Sequence, residues 1–301
     1  MNATDLALLG VLSLTWGGSF FFMEIAVSTL PVFTIVTSRV LLGALTLNAF
    51  IYMTGRNLNF GWQVWKSFIV IALIGQVIPF SLIVWGQIYI TSGLASILNA
   101  TVPFFTLLIA HFMTTDERIT PNGMMGVLLG FAGVVVIIGP EALFGEGAVI
   151  WGKLAVLLSA VLYGLTTIYA RRFAKMNVPS ICVAAGQLTC SSLVLMPLTL
   201  FFDQPWTLDM PELHIWASLG ALGFFSTALA FIIYYRLIST VGGSNTSLVT
   251  FLVPISAIWL GFTFLNEPII KTQMAGMALI AIGLIIIDGR AFRRLFRSFK
   301  K

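Results

Sequence analysis

The sequence predicts an all-α membrane protein: ten transmembrane helices arranged as two inverted five-helix repeats. Three observations predict it. First, 58% of the 301 residues are apolar, 9% are charged and the mean hydropathy is +1.01, whereas a soluble domain holds about half apolar and a quarter charged residues; a water-soluble core has no room for that much apolar surface. Second, the apolar residues fall into ten runs of roughly 18 to 24, enough at ~1.5 Å per residue to cross a hydrocarbon core of ~30 Å. Third, "VPFFTLLIAHFMTTDE" (Val102 to Glu117) is echoed by "VPISAIWLGFTFLNE" (Val253 to Glu267): each is a Val-Pro inside an apolar run that closes on a glutamate.

Charge and turn clusters mark the ends of the runs, at bounds good to about two to four residues. The first, roughly 4–25, has no basic residue ahead of it and is too long for a secretory signal, so it reads as a retained helix. The second, roughly 31–53, opens at Pro31 and stops before Arg56; the third, roughly 66–86, starts at Lys66 and contains Pro79. The fourth, roughly 91–112, contains Pro103, and the fifth, roughly 122–139, carries Gly123, Gly126, Gly130 and Gly133. The sixth, roughly 150–170, closes on Arg171 and Arg172; the seventh, roughly 180–202, runs from Pro179 to Asp203. The eighth, roughly 213–235, lies between Glu212 and Arg236; the ninth, roughly 243–264, contains Pro254; the tenth, roughly 272–288, follows Lys271. The chain thus divides into a first repeat (1–140), a second (149–289) and a basic tail (290–301).

With the N-terminus inside, thirteen of the sixteen Lys and Arg residues fall in inner loops and the tail, Lys153 and Lys271 lie outside, and Arg39 sits within a span. The opposite orientation reverses that 13:2 ratio against the positive-inside rule, so both termini are expected to be cytoplasmic, in an inner (plasma) membrane. The net charge of +5 is therefore a topology signal and not a sign of nucleic-acid binding. Cys182 and Cys190 lie eight residues apart in one span, about 12 Å along a helix, too far for a disulfide.

The echo has a fixed interval. Pro103 and Pro254 are 151 residues apart, Glu117 and Glu267 are 150 apart, and Gly126 with Gly276 and Gly133 with Gly283 keep the same spacing. Trp16-Gly17 aligns with Tyr163-Gly164, and the interval from Pro31 to Arg39 equals that from Pro179 to Gln187. An odd number of crossings per repeat sends the second copy in from the opposite side, which gives inverted repeats and points to alternating access.

The run "GLASILNATVPFFTLLIAHFMTTDERITPNGMMGVLLGFAGVVVII", its second copy, and "TWGGSFFF" followed by "PVFTIVTSRVLLGAL" resemble the EamA-type, ten-helix members of the drug/metabolite transporter superfamily, over essentially the whole chain. The resemblance implies a transporter with a central cavity built mainly from the first four helices of each repeat, the fifth helices lying outside, and substrates such as amino acids, nucleotide-related metabolites, vitamins and drug-like compounds, often moved outward. One departure is Pro268 after the second glutamate, where the first copy has Arg118, so the two loops need not move alike.

Polar residues inside spans are costly and tend to face the bundle interior. Arg39 has two readings: a structural arginine that snorkels or pairs with Glu24, and a direct contact to a substrate carboxylate or phosphate. Its counterpart Gln187 makes the pseudo-symmetric cavity electrostatically one-sided. Ser13, Trp16, Gly17, Phe20 and Glu24 share a helix face, as do Gln76, Phe80, Ile83 and Gln87, and Ser159, Tyr163, Thr166 and Ala170. Such mixed faces suit a pocket for a small amphipathic molecule, although core or interface-belt packing is the commoner explanation of any single aromatic. Candidate substrate-binding residues are Trp16, Glu24, Arg39, Gln76, Trp85, Asn99, Tyr163, Gln187, Tyr234 and Asn245. Pro79, Pro103 and Pro254 free the carbonyls of Gly75, Asn99 and Thr250, and mark either packing kinks or discontinuous, cavity-facing segments. Trp65, Trp151, Trp206 and Trp216 are assigned to interfacial belts, the glycine stripe to a packing or homodimer face, and His111 to a hydrogen-bonded structural role with a gate as the alternative.

The sequence lacks a phosphate-binding glycine loop, a metal-ligand cluster and a Ser, His and Asp set, so an enzyme, a primary pump and a bound cofactor or metal are not expected. The function predicted is a secondary transporter of an amphipathic metabolite, amino-acid-like or drug-like, more an exporter than an importer, with a passive channel or facilitator as the alternative. No Asp or Glu lies at a span centre, so proton or sodium coupling has only Glu24 as a candidate, and facilitated transport or exchange fits at least as well. The tail "GRAFRRLFRSFKK" spaces Phe292, Leu295, Phe296 and Phe299 helically among basic residues, as an amphipathic segment on anionic lipid or as an uncommitted positive-inside tail.

Overall fold

A hydrocarbon core offers no water to backbone N–H and C=O groups, so a chain of long apolar runs satisfies them within helices. The computed structural model describes residues 2–115, 118–139, 147–242 and 246–288, and among these every long element is helical. They are α1 (Ala3–Val27), α2 (Val32–Met53), α3 (Trp62–Gly86), α4 (Ser92–Met113), α5 (Pro121–Ile138), α6 (Gly147–Lys175), α7 (Ser180–Asp203), α8 (Leu213–Val241), α9 (Val249–Leu265) and α10 (Lys271–Asp288). Nine are long and apolar enough to cross a membrane; α9 has 17 residues. The chain is a multi-pass membrane protein. Asn245, Asp116, Glu117 and the tail 290–301 lie outside the described residues.

The expected spans need correction where helix and apolar run do not end together. α3 begins at Trp62, four residues before Lys66, because a lysine near a helix end carries its charge to the interface without breaking the backbone. α6 continues through Arg171 and Arg172 to Lys175, since basic residues favour the last turn of a helix, and α8 runs past Arg236 to Val241. α9 begins at Val249, six residues later than expected.

The helix pairs interchange when the two halves are exchanged. α1 packs along α9, as α6 packs along the second part of α4; α2 packs against α7; α5 lies along α10. α6 also lies against the end of α3, and its counterpart α1 lies along α8. The core sits between these pairs, where Leu12, Met23, Ile35, Leu47, Phe68, Leu98, Leu188 and Leu222 are fully buried.

The glycine stripe lies inside the chain. A Cβ on Gly126 would sit 2.6 Å from the Gly283 carbonyl oxygen, one on Gly133 would sit 2.7 Å from that of Gly276, and one on Gly130 would strike the Phe104 ring. Absent side chains at these points let the two backbones touch, so the stripe is the α5–α10 packing surface.

Five helices are interrupted or modified. α4 breaks at Ala100 and Thr101, and Pro103 is the second residue of the resumed segment Val102–Met113. α3 widens into a π-helical segment at Leu73–Val77, just ahead of Pro79, and the carbonyl of Gly75 lies within it. α8 carries a π segment at Phe224–Leu229, and α7 ends in one at Thr199–Asp203 after Pro197. Pro254 departs from expectation: it lies inside α9, which runs on unbroken to Leu265, and the irregular turn comes earlier, at Ser247 and Leu248. The freed carbonyl is tolerated there because neighbouring helices enclose a membrane proline.

Two carboxylates of the second half close onto helix starts of the first. Asp203, at the end of α7, accepts from the backbone N–H (2.6 Å) and the hydroxyl (2.9 Å) of Thr34 in the first turn of α2. Glu267, in the turn after α9, accepts from the backbone N–H of Ser92 (2.9 Å) and Gly93 (3.1 Å) at the start of α4. Each meets N–H groups that a helix leaves unpaired at its N-terminus, where the macrodipole also favours a negative charge.

Candidate functional site

Arg39 anchors the polar interior. Its place in the second turn of α2 leaves it 5% exposed, and its Nε donates to the Thr227 hydroxyl of α8 at 3.1 Å. One Nη donates to the Met23 sulfur of α1 at 3.4 Å, and the guanidinium carbon lies 3.8 Å from the centre of the Phe80 ring of α3. Phe80 meets Tyr163 of α6 edge-on, with ring centres 6.5 Å apart. One side chain thus touches α1, α3 and α8, and α6 joins through a ring.

The expected Arg39–Glu24 pair does not form. Adjacent helical residues point about 100° apart, and on α1 it is Met23 that faces Arg39. Glu24 instead accepts from Gln87 Nε2 at 2.8 Å, and the same amide donates to the Phe20 carbonyl at 2.9 Å. Among the described residues no carboxylate comes within the 4.0 Å of an ion pair with Arg39. A guanidinium has five N–H groups; here one reaches a hydroxyl and one a thioether, a weak acceptor.

Two of the three π segments among the described residues, those of α3 and α8, border this region. α2, which carries Arg39, packs against the π segment of α8; α7, which carries the buried Gln187, packs against that of α3. π segments concentrate at functional sites because they turn side chains out of the α register. Each holds a buried polar atom that lacks a partner: Gln76 Oε1 in α3, on a residue 5% exposed, and Ser226 Oγ in α8, on one 1% exposed. Asn99, at the break in α4, has an unpartnered buried Oδ1 as well. Such groups cost roughly 1–3 kcal/mol each when nothing binds them.

Aromatic residues form a second cluster. Trp16 of α1 lies 5.3 Å from Tyr234 of α8, Tyr234 lies 5.3 Å from Tyr235, and Tyr235 stacks on Phe231. Trp85 does not join them; it pairs with exposed Tyr89 past the end of α3. Ser13 and Gly17 face α9: the Ser13 and Ser256 hydroxyls are 3.2 Å apart, and a Cβ on Gly17 would collide with Ser256. A groove of about 330 Å³ between α1 and α9, lined by Gly10, Leu14, Ile255 and Trp259, is apolar and belongs to the outer surface. His111 takes the structural role, its Nδ1 accepting from the Ile119 N–H at 3.2 Å.

The structure therefore brings Arg39, Tyr163 and Phe80 into one cluster, pairs Trp16 with Tyr234, buries Gln76 and Gln187 at the π segments, and places Glu24 and Trp85 toward the helix ends that hold Gln87 and Tyr89. The residues missed were Ser226 and Thr227. Ser226 lies 150 residues after Gln76, the interval that relates the two glutamates, and that interval would have found it. Among the described residues no group of three or more His, Cys, Asp or Glu side chains is placed to hold a metal.

The sequence model of the EamA-like transporter family matches residues 5–139 and again 150–288. The chain is 25% identical to the uncharacterized transporter YoaV of Bacillus subtilis (strain 168), covering 93% of this chain and 95% of that one. It is 23% identical to the uncharacterized inner membrane transporter YedA of Escherichia coli (strain K12), covering 92% and 88%. A crystal structure of a protein 20% identical in sequence shares the fold, with a TM-score of 0.66 over 95% of this chain and 98% of the other.

Proposed function

The chain belongs to the EamA-like transporter family, and from that premise we propose that it is a secondary transporter that moves a small amphipathic metabolite, amino-acid-like or drug-like, by alternating access. The observation that carries the reading is Arg39: a charge among helices of both halves, on an aromatic ring, with unpartnered polar atoms in the two adjoining π segments. A buried cation that serves only packing is a poor structural choice, because an apolar residue of similar size is usually as stable or more so.

Two inverted five-helix repeats supply the motion. The interchange of helix pairs under exchange of the halves supports that relation, as does the double match to one family model. A pseudo-twofold arrangement with two asymmetric halves has a second, nearly equivalent state in which the halves have exchanged conformations, opening the opposite face. Asp203 and Glu267 hold one face together in the present state. Both termini are cytoplasmic in this reading, the membrane is the inner membrane, and net movement is outward; the charge bias of the loops supports the first.

Uptake into proteoliposomes separates a carrier from a passive facilitator. A carrier gives saturable flux that accelerates when the same solute is present on the far side. Flux linear in concentration and indifferent to solute on the far side would assign a channel instead.

A further inference from the structure

Resting on the carrier reading, we infer that the transported molecule is an organic anion with an aromatic or apolar body and a separate N–H or O–H donor, the anion bound by Arg39 and the donor by Gln76. Arg39 is buried, keeps its positive charge at any physiological pH, and has N–H groups without partners among the described residues. An arrangement of this kind is incomplete until an anion occupies it.

The nearby carboxylates are committed elsewhere. Glu24 is held by Gln87, Asp203 by Thr34, and Glu267 by the backbone of Ser92 and Gly93. An ammonium group brought beside Arg39 would meet like charge without a carboxylate among the described residues to offset it, whereas a carboxylate, sulfonate or phosphate would receive the free guanidinium N–H groups.

Gln76 sets the second requirement. It lies one turn before Phe80 on α3, and Phe80 is the ring under Arg39. Four residues at 1.5 Å rise separate them by about 6 Å along the helix. Its unpartnered Oε1 accepts and cannot donate, so the ligand supplies the hydrogen. The ring of Tyr163 beside Phe80 offers an apolar body a flat surface.

Three indoles test this by binding to the purified full chain in detergent, followed by calorimetry and thermal unfolding. Indole-3-acetate carries the anion, the ring and a separate N–H; 1-methylindole-3-acetate lacks the donor; tryptamine replaces the anion with an ammonium. The expected order is indole-3-acetate first, its methyl derivative about tenfold weaker, and tryptamine without effect at the same concentration. Arg39→Gln should lose the response to indole-3-acetate while its ligand-free unfolding temperature is no lower than that of the parent; Arg39→Lys should keep a weaker response. Tryptamine binding as well as indole-3-acetate, no response to indole-3-acetate at millimolar concentration, or a response that survives Arg39→Gln would each overturn the inference. Indole-3-acetate that binds but is not exchanged across proteoliposomes would sink the carrier reading and leave the anion site standing; saturable exchange of tryptamine would do the reverse.

Discussion

Replacing Glu267 removes a contact whose worth can be worked from geometry. Its two oxygens accept from Ser92 N at 2.9 Å and Gly93 N at 3.1 Å, at the start of α4, and Ser92 is fully buried. Glu267→Ala leaves both N–H groups unpaired, at roughly 1–3 kcal/mol each, and removes a favourable charge at a helix N-terminus worth about 0.3–1 kcal/mol. Relaxation of the turn recovers part of this, which brings the net cost to about 3 kcal/mol, the lower half of the sum. At 1.4 kcal/mol per decade that is about a hundredfold increase in local opening. Glu267→Gln retains one acceptor oxygen and should cost about half, or roughly tenfold. Amide hydrogen exchange of the peptide spanning Ser92 and Gly93 reads this directly, with a peptide from mid-α7 as reference. Unchanged exchange in Glu267→Ala, or equal acceleration in both variants, would refute the argument that the carboxylate secures this helix start.

Three further outcomes follow from the same reasoning. Gly133→Ala and Gly276→Ala should each lower the unfolding temperature in detergent by the equivalent of about 1–3 kcal/mol, since each Cβ would meet a carbonyl oxygen at 2.7 Å, while Gly220→Ala, with open space around it, should change little. Thr227→Val removes the acceptor of Arg39 Nε and should weaken anion binding while leaving the α5–α10 contact intact, checked by calorimetry beside the Gly133 variant. Asp203→Asn halves the acceptor capacity presented to Thr34 and should accelerate exchange at the start of α2 by less than Glu267→Ala does at α4, because Asp203 bonds one backbone N–H and Glu267 two.

The ten helices were legible because hydropathy and helix length are fixed by the same bilayer thickness; where they diverge, as in α6, basic residues carry the helix past the apolar run. The repeat located Gln187 and both Pro-Glu segments, and helical spacing located Gln76, without any contact information. It did not reveal which neighbour each residue would choose. Met23 and Glu24 are adjacent in sequence, and which of them faces Arg39 depends on the rotation of α1 about its axis, set by the close approach of Gly17 to Ser256. The π segments were hidden for a similar reason: the segment in α3 precedes a proline, but that in α8 has none. The role of Glu267 required knowing that the turn after α9 arrives beside the start of α4, a pairing 175 residues apart.

The central claim is that the two faces open in turn, and a pair of distance measurements on one protein tests it most directly. With Cys182 and Cys190, both buried and free, replaced by serine, spin labels at Ser28 and Leu213 report one face, and labels at Gln63 and Lys175, the positions related by the repeat, report the other. Alternating access predicts opposite responses to a bound solute, one pair lengthening as the other shortens. Distances that stay fixed, or that change in the same direction on both faces, would contradict it.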